Sequence, residues 1–154
     1  MLELNPSVFG ELYRVRADGS DTERLTHVLG YDGGPFFFPD GSDATRITDF
    51  GAMSWAPYVH PSGEYVLFAS NKLGFANFEI YLVDTSGAKQ PIRITHSDGF
   101  DGLPVPSPDG RQLAFTSNRH GDKGGQIYLA GWNHEAALRA LAEAPLRGAE
   151  ETVQ

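Results

Sequence analysis

A chain of 154 residues has the length of one ordinary domain rather than several. Its 20 acidic against 12 basic residues give a formal charge of −8, the wrong sign for a surface that neutralises phosphates, so nucleic acid and anionic membrane are poor partners. The sequence contains no cysteine, which removes disulfides, zinc–thiolate centres and thiol nucleophiles.

The amino terminus, Met1-Leu2-Glu3-Leu4-Asn5-Pro6, lacks the basic start and apolar stretch of a secretory leader, and no apolar run is long enough to span a bilayer. The sequence as it stands is therefore expected in the cytoplasm, or in the periplasm if a leader has been removed. Its 18 Gly and 10 Pro make it turn-rich, while 40% hydrophobic and 12% aromatic content is enough to bury a core. That mixture predicts many short strands.

In chain order, Asp18-Gly19-Ser20-Asp21 followed by Arg24-Leu25-Thr26 recurs 22 residues later as Asp40-Gly41-Ser42-Asp43 followed by Arg46-Ile47-Thr48. Gly30-Tyr31-Asp32-Gly33 recurs 69 residues later as Gly99-Phe100-Asp101-Gly102. A 47-residue shift carries Pro57 onto Pro104, Pro61 onto Pro108, Gly63 onto Gly110, Ser70-Asn71 onto Ser117-Asn118 and Ile80-Tyr81-Leu82 onto Ile127-Tyr128-Leu129, without a gap. The shifts are mutually consistent, and together they make residues 10–50 fragments of two units, the second lacking its middle. A full unit follows at about 52–96 and a further one at 99–132.

Within these units, apolar and β-branched runs bounded by Gly, Pro, Asn and Asp predict strands near Trp55–His60, Tyr65–Ser70, Phe78–Asp84 and Ile92–Thr95. The same signals recur near Leu103–Ser107, Gln112–Ser117 and Gln126–Ala130. Pro61-Ser62-Gly63 and Pro108-Asp109-Gly110 read as hairpin turns between the first two strands of each unit. Residues 133–145 change character. Asn133 is placed to cap a short helix rich in Ala and Leu, and Pro145 stops it. Residues 146–154 read as a polar tail.

Four-stranded antiparallel units repeating at this interval predict an all-β chain, a partial β-propeller of about two full blades plus fragments, with a short C-terminal helix. A small twisted sheet has two faces to cover, so each blade needs neighbours. Roughly eleven predicted strands do not close a six-bladed ring. The expected remedy is self-association, a dimer being favoured, in which two partial propellers cover each other's open faces.

Ser107-Pro108-Asp109-Gly110, then Phe115-Thr116-Ser117-Asn118-Arg119 and Gln126-Ile127-Tyr128, with Arg93-Ile94-Thr95 before them, resemble the WD40-like propeller repeat of the TolB family over roughly residues 10–132. The resemblance implies a rigid docking platform, commonly six-bladed in relatives and often found in the bacterial periplasm. The same repeats also resemble propeller domains attached to peptidases, and Gly131-Trp132-Asn133-His134-Glu135-Ala136-Ala137-Leu138 looks like the exit from such a propeller. A complete six-bladed relative needs nearly twice this length.

Candidate sites are few. Asp32, Asp98 and Asp101 precede the opening strand of a blade, which in a propeller is the innermost, so they are the candidate Ca²⁺ ligands at a channel mouth. Asp before Gly is also simply a turn former. Phe36, Phe37 and Phe38 form an aromatic run at the opening strand of the damaged unit, a candidate partner-binding patch unless it packs between blades. His27, His60, His96, His120 and His134 show no metal-ligand spacing, although His60 and His96 flank turns of one blade. Gly-x-Ser-x-Gly and a P-loop are missing, and Ser70-Asn71 and Ser117-Asn118 read as turn-bonding architecture.

The expected function is a non-enzymatic scaffold that binds a protein or peptide, with no cofactor other than the candidate Ca²⁺. The alternative is the propeller portion of a peptidase-like or other hydrolase, with catalysis on another domain or chain.

Overall fold

The computed structural model describes residues 13–24, 46–49, 51–121 and 124–148. The chain divides into two compact units, Met1–Pro35 and Phe36–Gln154. In the first, β1 (Tyr13–Arg14) pairs antiparallel with β2 (Glu23–Arg24). Their connection turns at Gly19, with a φ of 84°, and is clasped by Asp18, whose Oδ1 accepts from Ser20 N at 2.9 Å and Ser20 Oγ at 2.7 Å.

The described residues of the second unit form two antiparallel sheets followed by a helix. The first sheet runs β3 (Ser54–Val59), β4 (Tyr65–Ser70), β5 (Glu79–Asp84) and β6 (Ile92–Arg93), in that order. The second runs β7 (Asp101–Pro106), β8 (Gln112–Ser117) and β9 (Gln126–Gly131). The first three strands of the two sheets start at residues 54, 65 and 79 and at residues 101, 112 and 126, a constant offset of 47. The second sheet stops at three strands, because the chain after β9 becomes helix α1 (His134–Glu143).

The opening strands start earlier than their apolar pattern suggests, for a reason invisible in that pattern. Ala56 and Leu103 adopt φ of 47° and 55°, and the ladder slips between Trp55 and Tyr58 and again between Gly102 and Val105. Each is a β-bulge, in which an extra residue bends the strand and re-aims its neighbours. Trp55 is thereby stacked on Phe78, centroids 4.8 Å apart.

Alternation along the strands decides what each sheet covers. Tyr65, Leu67, Ile80 and Leu82 form one face of the first sheet and bury against Leu113 and Phe115 of the second, with Ala137 and Leu141 of α1 closing the same cluster. Val66, Phe68, Tyr81 and Val83 form the opposite face and pack with Ile47 and Val59. β4 is therefore buried at all six positions, which accounts for its unbroken apolar run Tyr-Val-Leu-Phe-Ala before Ser70. β8 is covered on one face only, and its sequence alternates Leu113 and Phe115 with Ala114 and Thr116.

Recurring residues hold the sheet ends. Asn71 Oδ1 accepts from Met53 N at 3.0 Å and Asn118 Oδ1 accepts from Phe100 N at 2.7 Å, the same bond displaced by 47 residues. Arg93 Nε donates to Thr95 O at 2.7 Å and Arg46 Nε to Thr48 O at 2.9 Å, so the two Arg-Ile-Thr segments share one clasp.

Candidate functional site

Two hairpin turns and the start of α1 converge at one end of the second unit. Pro61-Ser62-Gly63 follows β3, with Gly63 at φ 78° and its N–H bonded to His60 O at 2.8 Å. Pro108-Asp109-Gly110 follows β7, with Gly110 at φ 68° and its N–H on Ser107 O at 2.8 Å. Only glycine tolerates such a backbone without strain. Between these turns and Trp132-Asn133-His134 lies a cleft of about 710 Å³ whose rim includes Asp109, Arg111 and Glu135.

Its floor is aromatic. The His60 ring is buried, stacked 4.5 Å from Tyr65 on one side and 5.0 Å from His134 on the other, the two imidazoles within 6° of parallel. Trp132 Nε1 donates to Tyr65 Oη at 2.7 Å. The same hydroxyl lies within hydrogen-bond distance of His134 Nδ1, at 3.0 Å, and His134 Nε2 faces Glu64 Oε2 at 3.3 Å. Asn133 caps the helix, its Oδ1 accepting from Ala136 N at 3.0 Å. At the far end of α1, Lys89 Nζ donates to the carbonyls of Ala142 at 3.2 Å and Ala144 at 3.0 Å, two acceptors that the helix itself leaves unpaired.

Burial pushes the His60 imidazole below the ordinary histidine range, and the charge of neighbouring His134 pushes it the same way against the raising effects of Gly110 O and Glu64. Burial raises the Tyr65 phenol. Asp109 on the rim is held low by the Ser107 hydroxyl and by the Arg111 backbone N–H.

Ser62 Oγ lies 3.0 Å from His60 Nδ1, the geometry of a hydroxyl beside a base. The same nitrogen accepts the Ser62 backbone N–H at 3.2 Å, and Nε2 faces Gly110 O at 3.4 Å. Both ring nitrogens are thus engaged within the two turns. The cluster's hydrogen bonds fasten α1 to β4, and what it offers outward is the rim of a cleft.

Asp98 and Asp101 do not line this cleft. Asp101 opens β7, is fully buried, and receives Arg119 Nη2 on Oδ2 at 2.8 Å, while the guanidinium lies over the rings of Phe115 and Tyr128 at 4.9 and 5.2 Å. Asp98 is exposed in the preceding loop. Asp32, Phe36, Phe37 and Phe38 lie outside the described residues. Among the described residues no three His, Asp or Glu side chains gather closely enough to hold a metal ion. His96 is exposed, and the imidazole beside His60 is that of His134.

Sequence reasoning missed two features. One is the His60–His134 stack. The other is Glu79, fully buried in β5 and bound by Arg93 and by the Thr95 hydroxyl. The recurrence of Arg-x-Thr was the available signal for the second.

No protein-family model and no curated protein matches this chain. Among solved structures it is similar to the crystal structure of TolB from Acinetobacter baumannii, with 28% identity and a TM-score of 0.62, over 80% of this chain and 35% of that one. The chain is a TolB-like partial β-propeller and spans about a third of the length of that relative.

Proposed function

We propose that the chain is a non-enzymatic scaffold of the propeller type that binds protein or peptide and covers its open blade face by pairing with a second copy. The observation that carries this reading is a contrast between equivalent positions. Ile80 and Leu82 are fully buried under the second sheet, whereas Ile127 and Leu129, 47 residues later, are 80% and 72% exposed. Leu103 and Val105 are exposed too, and the register lines Val105, Ala114 and Leu129 in one row.

A contiguous apolar surface of this kind is a docking surface in a folded protein. Its counterpart within the chain is covered by a sheet face, so a second partial propeller has the matching shape. The similarity to TolB supports a binding role for the fold and leaves the partner to experiment.

Light scattering at micromolar concentration tests the pairing. A dimer is expected, reverting to monomer in Ile127→Glu/Leu129→Glu, while a wild-type chain that stays monomeric overturns it. For the scaffold role, the expected result is saturable binding of a protein or peptide without turnover. Catalytic turnover by the purified chain on peptide or ester reporters, lost on unfolding, would reject the non-enzymatic reading.

A further inference from the structure

Among the described residues β9 is bonded on one side only. Its ladder with β8 runs from Gln126 against Ser117 to Gly131 against Gln112, and among the described residues no backbone hydrogen bond is made along its other side. The corresponding strand of the first sheet is occupied there. β6 pairs with β5 through Arg93 opposite Tyr81 and Ile92 opposite Leu82, and Ile94 N donates to Ile80 O at 2.7 Å. Thr95 Oγ1 adds a side-chain acceptor for Ile80 N at 2.9 Å. With the 47-residue offset, the groups of β9 left facing outward are those of Ile127 and Leu129.

Among the described residues of this unit, the other outer strands carry devices that discourage pairing, and β9 carries none. β3 has Pro57 and the bulge at Ala56, and β7 has Pro104, Pro106 and the bulge at Leu103. β6 is two residues long and contains Arg93. Proline, bulges, charge and shortness are how sheet edges are normally blunted. Gln126-Ile127-Tyr128-Leu129-Ala130-Gly131 has six residues in extended register with no proline, no charge and no left-handed residue.

We propose that the free edge of β9 takes up an extended strand from a partner polypeptide, of the pattern apolar-x-apolar-hydroxyl, and so completes the second sheet. Ile92-Arg93-Ile94-Thr95 is the template. Ile92 and Ile94 pack on the face that carries Ile80 and Leu82, so the two apolar residues of an added strand lie beside Ile127 and Leu129. Its hydroxyl, like that of Thr95, accepts from the Ile127 amide. Glu79, which binds Arg93, is replaced in β9 by Gln126, so the intervening residue is not required to be basic. Strand addition of this kind draws affinity from main-chain bonds and selectivity from alternate side chains. The inference rests on the scaffold reading and names its partner class and the strand that receives it.

The test uses the wild-type chain and a fluorescent peptide with the sequence of residues 90–97, Gln-Pro-Ile-Arg-Ile-Thr-His-Ser. Saturable binding by anisotropy is expected, weakened about tenfold when the Ile94 amide of the peptide is N-methylated, since one main-chain bond is then lost. Amide shifts in NMR spectra are expected to concentrate on residues 126–131. No saturable binding at millimolar peptide, equal binding of the methylated peptide, or shifts confined to β5 through displacement of β6 each overturn the proposal. A chain that is monomeric by light scattering yet binds the peptide loses the self-association reading and keeps this one. A dimer that does not bind the peptide does the reverse.

Discussion

Tyr65 and Trp132 are joined through a single oxygen: the indole N–H donates to the phenol at 2.7 Å, and the same phenol reaches His134 at 3.0 Å. One fully buried hydroxyl in the first sheet thus fixes the residues that lead into α1. Tyr65→Phe keeps the ring and removes that oxygen. It leaves the indole N–H and the His134 nitrogen without their partner, a loss of about 1–3 kcal/mol. A lower urea midpoint with an unchanged slope, and altered Trp emission in the folded state, are the expected readings.

Gly110 sits against the His60 ring, and a methyl group there would lie 2.8 Å from its Cε1 and Nε2. Gly110→Ala combines that overlap with a left-handed backbone, whereas Gly63→Ala has the backbone strain alone, since nothing lies within 4 Å of its Cβ position. The expected order is Gly110→Ala below Gly63→Ala below wild type, the second step being about 1 kcal/mol. Thermal unfolding of the three proteins under one buffer condition checks it.

Arg119→Ala strands the buried carboxylate of Asp101, whose Oδ1 already has no hydrogen-bond partner in the structure. Removing one member of a buried pair costs about 3–5 kcal/mol, and removing both restores part of it because the uncompensated charge goes too. Arg119→Ala/Asp101→Ala is therefore expected to be more stable than Arg119→Ala alone. Arg14→Ala, which breaks an exposed pair with Glu23, is expected to leave stability unchanged within error.

His60 makes stability depend on pH. Its folded pKa lies below the unfolded value, so the unfolded chain binds the proton more readily. The stabilisation is fully present above the unfolded histidine pKa of about 6.5 and is lost as pH falls from there through the folded value. His134, Glu64 and the Tyr65 phenol face the ring and set the size of the effect. His60→Gln is expected to flatten the stability profile between about pH 5 and pH 7.5, measured by urea denaturation. A profile as steep as that of wild type would assign the dependence to other groups.

The strands were legible where local chemistry repeats. Tight turns at Pro61-Ser62-Gly63 and Pro108-Asp109-Gly110, the continuous apolar run of β4 and the alternation of β8 each carry a period or a breaker that a sequence displays. Asn133 and Pro145 similarly marked the two ends of α1. The bulges were not legible, because Ala56 and Leu103 have no intrinsic preference for positive φ and adopt it only under the packing around them. The cleft was legible only as two turns. His60 and His134 are distant in sequence, and their stack arises from the convergence of a hairpin and a helix start that no spacing rule relates. The burial of Glu79 has no local signal, because Arg93 and Thr95, which bind it, lie 14 and 16 residues further along the chain.

Within a single copy β4 lies sealed between two faces while β9 is exposed along most of its length, so the unpartnered unit has a slow side and a fast side. Amide hydrogen exchange in β4 will track complete unfolding, and exchange in β9 will track local fraying that begins at the rim and stops at β8. A destabilising change in β4 therefore threatens the whole unit, whereas one in β9 leaves its remainder standing.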